Sequence, residues 1–288
     1  MENNNIENSE INTNSESQEI VEKKAINLPN SHEINDKLKD RKRNLRKHLS
    51  IIPNTCTSMN LVCGFLSILM ASQGEFIIAS WLIMGANIFD ILDGRLARLT
   101  SVESMFGAEL DSLCDLVSFG VAPAFLVYSR FFKDGSLLEI IIGITAVTIF
   151  VLCGALRLAR FNVTPHSKKD VFEGMPIPGG AGILATMIIF EFYGFVQIPR
   201  NITPFVVLIT AFLMVSSIEY PAMKKTPKTS YNRIIAVMLI VLAFCINPPI
   251  TLFFATWGYA VYGLFMATLR SSLRIVRKIK NKKNAEDY

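Results

Sequence analysis

Apolar residues are concentrated in runs of membrane-spanning length, and short polar segments separate these runs. A helix needs about 20 largely apolar residues to cross a bilayer. The last two runs are separated only by Asn247, Pro248 and Pro249, which is a tight turn signal. The pattern predicts an all-α polytopic membrane protein with about eight transmembrane helices, at residues 56–73, 76–97, 104–130, 137–159, 179–197, 203–221, 232–247 and 249–269.

The polar segments differ in charge, and this difference predicts the orientation of the chain. Cytoplasmic loops of membrane proteins carry an excess of lysine and arginine. When the connections are assigned alternately to the two sides, one side receives only Arg130, Lys133 and Arg200. The other side receives the remaining basic connections and both ends of the chain. We therefore expect a multi-pass protein of the cytoplasmic membrane with both termini in the cytosol.

The two ends of the chain are polar and of opposite charge. Residues 1–35 are rich in asparagine, glutamate and serine, which predicts a disordered acidic tail without the layout of a secretory signal. Residues 36–55 form a basic juxtamembrane segment. This segment favours an anionic cytoplasmic leaflet, although a solvated positive-inside signal explains it equally well. The transmembrane domain is expected at residues 56–269, followed by a basic cytoplasmic tail at 270–288.

The overall composition supports this division and excludes other classes. Hydrophobic residues make up 51% of the chain and charged residues 18%, against about 25% charged residues in soluble domains. An ordinary soluble enzyme is therefore excluded, and we expect no nucleic-acid partner. The three histidines lie outside the apolar runs, so the chemistry is not expected to depend on histidine.

Four aspartates lie where the apolar pattern should exclude them. An aspartate inside a membrane span costs about 2.5–3.5 kcal/mol and indicates a functional site. Asp90 and Asp93 lie near the inner end of the second predicted span, and Asp111 and Asp115 lie in the first turns of the third. Spacings of three and four residues put each pair on one face of a helix. We therefore expect all four carboxylates at one depth, close to the cytosolic leaflet.

Four clustered carboxylates predict bound cations, because the anions would otherwise repel one another. Mg²⁺ is usually shared between carboxylates and substrate phosphates, and a pair of metals suits a phosphoryl or phosphodiester displacement. Small residues at Gly94, Ala97 and Gly107 would allow close approach of a diphosphate, and Arg95 and Arg98 add positive charge. A cation channel or divalent-metal transporter is the alternative, because acidic rings also line pores.

The aspartates belong to a longer pattern, which begins with Asp90-Ile-Leu-Asp93-Gly94-Arg95-Leu-Ala97-Arg98 and continues with Gly107, Asp111 and Asp115. This pattern resembles the signature of the CDP-alcohol phosphotransferase family. The resemblance implies a polytopic helical enzyme that displaces CMP from a CDP-linked lipid with an alcohol hydroxyl, using two divalent ions, Mg²⁺ or Mn²⁺. It implies metal ligation by the four aspartates, with Asp115 also the general base. It further implies contacts to the CDP-lipid from Thr57, Asn60, Gly94, Ala97, Arg98, Ser104 and Gly107.

Further segments are similar to the phosphatidylserine synthase branch of that family. They are Asp115-Leu-Val-Ser-Phe-Gly-Val-Ala-Pro123, Arg157-Leu-Ala-Arg160-Phe-Asn162 and Phe172-Glu-Gly-Met-Pro176-Ile-Pro178. This similarity implies CDP-diacylglycerol and L-serine as substrates in phospholipid biosynthesis. A serine carboxylate needs a cation, which Arg157 and Arg160 can supply, although each is equally explained as a positive-inside anchor. Glycerol phosphate, inositol phosphate and choline remain alternative acceptors, and a homodimer remains an open assembly.

Overall fold

The computed structural model describes residues 53–100, 105–163, 171–221, 238 and 242–286. The predicted acidic tail, most of the basic juxtamembrane segment and Ser104 lie outside these ranges, as does most of the predicted span at 232–247. The helices are α1 (Pro53–Ser72), α2 (Phe76–Thr100), α3 (Met105–Phe132), α4 (Leu137–Val163), α5 (Ile177–Phe192), α6 (Thr203–Val215) and α7 (Pro248–Glu286).

Five of the described helices, α1 to α4 and the apolar part of α7, are long and apolar enough to cross a membrane. The predicted helical, multi-pass membrane architecture is therefore confirmed. The ends of α1 to α4 fall within four residues of the predicted limits, because apolar length and turn signals both mark them. Helix α5 ends at Phe192, five residues before its predicted limit, and α7 continues past the apolar run through the basic segment to Glu286.

The sixth predicted span, 203–221, is wrong in its last third. Helix α6 ends at Val215, and the strand β2 (Glu219–Pro221) pairs antiparallel with β1 (Val171–Glu173). Thirteen helical residues extend only about 20 Å, which is shorter than a bilayer core of about 30 Å. The predicted span therefore overestimated this helix, because it also took in Ser216, Ser217 and Glu219, which lie after the helix end and in β2.

Local capping signals explain where two of the long helices begin. At the start of α4, Glu139 accepts a hydrogen bond from the Ser136 backbone N–H at 2.7 Å, while Ser136 Oγ accepts one from the Glu139 N–H at 3.4 Å, which is a capping box. Before α7, Asn247 Oδ1 accepts a hydrogen bond from the Ile250 N–H at 3.2 Å. The following prolines fit the first helical turn, where no backbone donor is needed.

Helix α5 forms the centre of the bundle. Its residues 180–189 are all buried, and it packs against α2, α3, α6 and α7. Thr186 Oγ1 lies 3.0 Å from Thr256 Oγ1 of α7, and Gly182 allows this close approach because a Cβ there would press on Thr256. The surrounding helices expose large apolar side chains outward, as expected for a surface in contact with lipid.

Helix α3 changes its winding immediately after Asp115. Residues Leu116–Val121 form a π-helical segment, in which the Ala122 N–H donates to the Val117 carbonyl five residues earlier. Pro123 follows at the start of the next α-helical segment and lacks an N–H group. Such π segments often lie at functional sites. Here the wider turn sets the direction in which the later part of α3 presents its side chains.

Candidate active site

The last turns of α2 and the first turns of α3 bring the predicted aspartates together. One carboxylate oxygen from each of Asp90, Asp93 and Asp111 lies within 4.8 Å of the others. The Asp115 carboxyl lies beside that of Asp90, next to this group. Asp93 and Asp115 are buried, with exposed fractions of 5% and 7%. Helical spacing explains the arrangement, since each pair lies on one face of its helix.

These side chains fit a divalent cation. The described residues offer oxygen ligands, which hard cations prefer. Asp111 Oδ1 is buried and accepts no hydrogen bond from the described part of the chain. A buried acceptor without a partner is unfavourable unless another group binds it. The structure therefore contains an acidic cluster suited to a metal ion, while the predicted number and identity of the ions stay predictions.

The start of α1 contacts two of the aspartates. Thr57 Oγ1 donates a hydrogen bond to Asp93 Oδ2 at 2.9 Å, and Asn60 Nδ2 donates one to Asp115 Oδ1 at 3.0 Å. Both donors are buried, with exposed fractions of 4% and 0%. The predicted contacts of Thr57 and Asn60 with the CDP-lipid stay predictions. Sequence reasoning did not foresee that these residues bind the aspartates.

The two predicted serine-binding arginines have different surroundings. Arg157 lies within electrostatic range of Asp115, Asp90 and Tyr259, and its guanidinium lies 5.7 Å from the centre of the Phe161 ring. Arg160 instead donates from Nη2 to the carbonyl oxygen of Val215 at 3.0 Å, at the end of α6. Arg157 is thus within electrostatic range of the aspartate cluster, whereas the hydrogen bond of Arg160 joins α4 to α6.

The remaining predicted residues are distributed around the cluster. Gly94 and Ala97 are half-buried on α2, and Gly107 is half-buried on α3, one turn before Asp111. Arg98 belongs to α2 and lies five residues beyond Asp93. Their predicted contacts with the CDP-lipid stay predictions.

A signal for the contribution of α1 was present in the sequence. Thr57, Asn60, Gly64 and Ser67 are polar or small residues spaced by three and four positions within an apolar run, so they share one helix face. All four are buried. Tyr259 of α7 had no comparable signal, because it lies about one hundred residues from the Arg157 side chain that it approaches.

Comparison with known proteins decides the family. The family model of CDP-alcohol phosphatidyltransferase matches residues 50–216 of the sequence, which is more than half of the chain. The chain belongs to the CDP-alcohol phosphatidyltransferase family. The matched range contains the four aspartates, Thr57, Asn60 and both arginines of α4, whereas α7 lies beyond it. As a member of this family, the chain is a transferase.

Curated relatives of this CDP-alcohol phosphatidyltransferase point to one branch. The chain is 36% identical over 220 residues to a CDP-diacylglycerol–serine O-phosphatidyltransferase from Helicobacter pylori, covering 75% of this chain and 90% of the relative. A protein of the same name from Methanocaldococcus jannaschii is 39% identical over 222 residues, covering 76% and 95%. An archaetidylserine synthase from Methanothermobacter thermautotrophicus is 39% identical over 172 residues, covering 59% and 69%.

Proposed function

We propose that this protein is a CDP-diacylglycerol–serine O-phosphatidyltransferase, which converts CDP-diacylglycerol and L-serine into phosphatidylserine and CMP. The observation that carries the proposal is the aspartate cluster at the end of α2 and the start of α3, with Arg157 within electrostatic range of it. The carboxylates suit a metal-bound diphosphate, and the arginine suits the carboxylate of an amino acid. The names of the curated relatives support serine as the acceptor.

The surroundings of the cluster suit a lipid substrate. Ile88, Ile91 and Leu92 are exposed on the same turns of α2 that carry Asp90 and Asp93. Leu113 is exposed on α3 between Asp111 and Asp115. Apolar side chains that face outward in a membrane protein meet acyl chains. The diacylglycerol part of the substrate can therefore stay in the bilayer while its diphosphate reaches the carboxylates.

The aspartates hold the cofactor in this proposal. Asp90, Asp93, Asp111 and Asp115 would bind two divalent ions, Mg²⁺ or Mn²⁺. When bound, these ions neutralise the diphosphate and stabilise the charge that develops on the departing CMP. Positive charge on the connections next to the cluster supports a site at the cytosolic face, where soluble serine and CMP can exchange.

Asp115 acts as the general base. Its carboxyl accepts the proton of the serine hydroxyl, which must approach within about 3 Å or through one water. The serine oxygen then forms a bond to the phosphorus that carries the diacylglycerol, and the bond from this phosphorus to the CMP oxygen breaks. This direct attack inverts the configuration at phosphorus, whereas a covalent enzyme intermediate would retain it.

Arg157 binds the serine carboxylate and so orients the hydroxyl toward Asp115. Arg157 lies within electrostatic range of Asp115, which supports this role, because the hydroxyl and the carboxylate of serine are separated by only two carbon atoms. Arg160 is already bound to the Val215 carbonyl. We therefore assign Arg160 to the joint between α4 and α6 rather than to the substrate.

The test uses purified protein with CDP-diacylglycerol and Mg²⁺ or Mn²⁺, and measures CMP release with serine, glycerol 3-phosphate, inositol phosphate or choline. We expect metal-dependent release with serine. A preference for another alcohol would retain the family and overturn the branch. A parallel assay with CDP-archaeol tests the lipid, because one curated relative is an archaetidylserine synthase. If no acceptor releases CMP, while vesicles take up the metal without any CDP-lipid, the transporter alternative replaces the enzyme.

A further inference from the structure

One face of α1 is buried against the helices that carry the aspartates. Ser67 Oγ donates to the Ala79 carbonyl of α2 at 2.9 Å, and Ser118 Oγ of α3 donates to the Asn60 carbonyl at 2.9 Å. Gly64 lies so close to Ser118 that a Cβ there would overlap it. These contacts fix the position of α1 through backbone groups, without help from the aspartates.

The same face directs two side-chain donors at the acidic cluster, one to each pair. Thr57 Oγ1 donates to Asp93 Oδ2 on α2, and Asn60 Nδ2 donates to Asp115 Oδ1 on α3. The Thr57 hydroxyl also lies 3.1 Å from the Pro53 carbonyl, so its contact with Asp93 is the shorter of two. Each donor binds one oxygen of its carboxylate and leaves the second oxygen for another partner.

The Asn60 amide is oriented by this one contact. Asn60 Oδ1 is fully buried and accepts no hydrogen bond within the described ranges. An unpaired buried acceptor reduces stability, and an apolar side chain of similar size would fill the space without that cost. The amide is therefore poorly explained by packing and well explained by its contact with Asp115.

We propose that Thr57 and Asn60 are positioning residues, which orient Asp93 toward the divalent cation and Asp115 toward the serine hydroxyl. The inference rests on the proposed function, in which these aspartates bind metal and remove a proton. It differs from the role implied by family resemblance, in which Thr57 and Asn60 touch the CDP-lipid. The two roles predict different kinetic effects, because positioning acts on metal affinity and turnover whereas substrate contact acts on KM for the lipid.

The test of Thr57 compares Thr57→Val, which keeps the shape and removes the hydroxyl, with Thr57→Ser, which keeps the hydroxyl. Mn²⁺ binding is measured by electron paramagnetic resonance on the full-length protein without substrate. Loss of a group that orients a metal ligand typically costs about 10–100-fold in metal affinity. We expect a loss of about 10-fold in Thr57→Val and recovery of most of the affinity in Thr57→Ser. Equal Mn²⁺ affinity in wild type and Thr57→Val would overturn the proposal for this residue.

The test of Asn60 uses Asn60→Leu and, as a second variant of the same shape, Asn60→Asp. We expect kcat to fall about 10–100-fold in both, with KM for CDP-diacylglycerol nearly unchanged. Ser67→Ala is the matched control, since it removes a contact between α1 and α2 that lies away from the aspartate cluster. It should lower the unfolding temperature without changing Mn²⁺ affinity or kcat. A rise in KM for the lipid at unchanged kcat in Asn60→Leu would assign Asn60 to the nucleotide and overturn positioning.

The Mn²⁺ measurement separates this inference from the proposed function. If the wild type releases no CMP with any acceptor but Thr57→Val still weakens Mn²⁺ binding, the positioning role of Thr57 stands and the serine transferase does not. If the wild type is active while Thr57→Val and Asn60→Leu match it in Mn²⁺ affinity and kcat, the transferase stands and the positioning role is wrong.

Discussion

The two ends of α3 both contain ionisable groups within apolar surroundings, but the charges of these groups are balanced at one end and unbalanced at the other. At the beginning, Asp111 and Asp115 lie beside the aspartates of α2. At the other end, roughly 22 Å away along the helix axis, Arg130 Nη2 lies 3.3 Å from Glu191 Oε1 of α5. The Arg130 guanidinium also lies 5.8 Å from the centre of the Phe76 ring.

The Arg130 end is a matched pair, whereas the described side chains at the aspartate end carry an excess of negative charge. One arginine and one glutamate neutralise each other, and the neighbouring aromatic rings further stabilise the cation. At the aspartate end, Arg157 is the described cation within electrostatic range of Asp90 and Asp115, and it faces more carboxylates than it can neutralise. Paired charges in a membrane helix indicate a role in helix packing, whereas an unbalanced cluster of charges indicates a binding site.

The largest effect is expected for Asp115→Asn. A positioned general base contributes about 10²–10⁴-fold to the rate, so kcat for CMP release should fall by that factor. Thermal unfolding in detergent should stay close to that of the wild type, because asparagine keeps the shape and the contact with α1. Near-normal turnover would exclude Asp115 as the base.

Asp111→Asn tests the excess of negative charge directly. Removing one ligand charge should raise the Mn²⁺ concentration needed for half-maximal activity by about 10-fold or more. Glu191→Gln is the matched control, since it removes one carboxylate charge at the opposite end of α3. The comparison would fail if both variants changed the metal requirement equally.

A smaller effect separates Arg157 from Arg160. Arg157→Lys should raise KM for serine about 10-fold, because lysine cannot reproduce the bidentate geometry of a guanidinium on a carboxylate. Arg160→Lys should instead lower the unfolding temperature, since it weakens the contact with the Val215 carbonyl. Titration of serine in both variants, with unfolding curves, checks this split. Equal KM values in the two variants would contradict it.

The smallest effect is expected at the matched pair. Arg130 is 37% exposed, so its coupling with Glu191 should contribute only about 0.5–1 kcal/mol to stability. A double-mutant cycle of Arg130→Met and Glu191→Gln measures this coupling from unfolding curves. CMP release should be unaffected in all three variants. A loss of activity would show that the pair influences the aspartate end, and the contrast between the two ends would then be wrong.

The membrane architecture and the grouping of the aspartates could both be predicted from the sequence alone. Both follow from local rules, since apolar length defines a span and spacings of three or four residues define a helix face. Asp90 and Asp93 end one span, and Asp111 and Asp115 begin the next, so a short connection must bring them to one level. The prediction failed at α6, because the predicted span was carried through residues 216–221, whereas the helix ends at Val215 and residues 219–221 form a strand.

The partners of these residues depend on how the helices pack. Asn60 binds Asp115 across 55 positions, and Arg160 binds Val215 across another 55, so no local pattern contains either contact. Arg157 and Arg160 are three residues apart on α4, yet a rotation of about 60° between them directs one to the aspartates and the other to α6. Their chemistry is identical, and the packing of the neighbouring helices gives them different surroundings, from which we propose a site role for Arg157 and a structural role for Arg160.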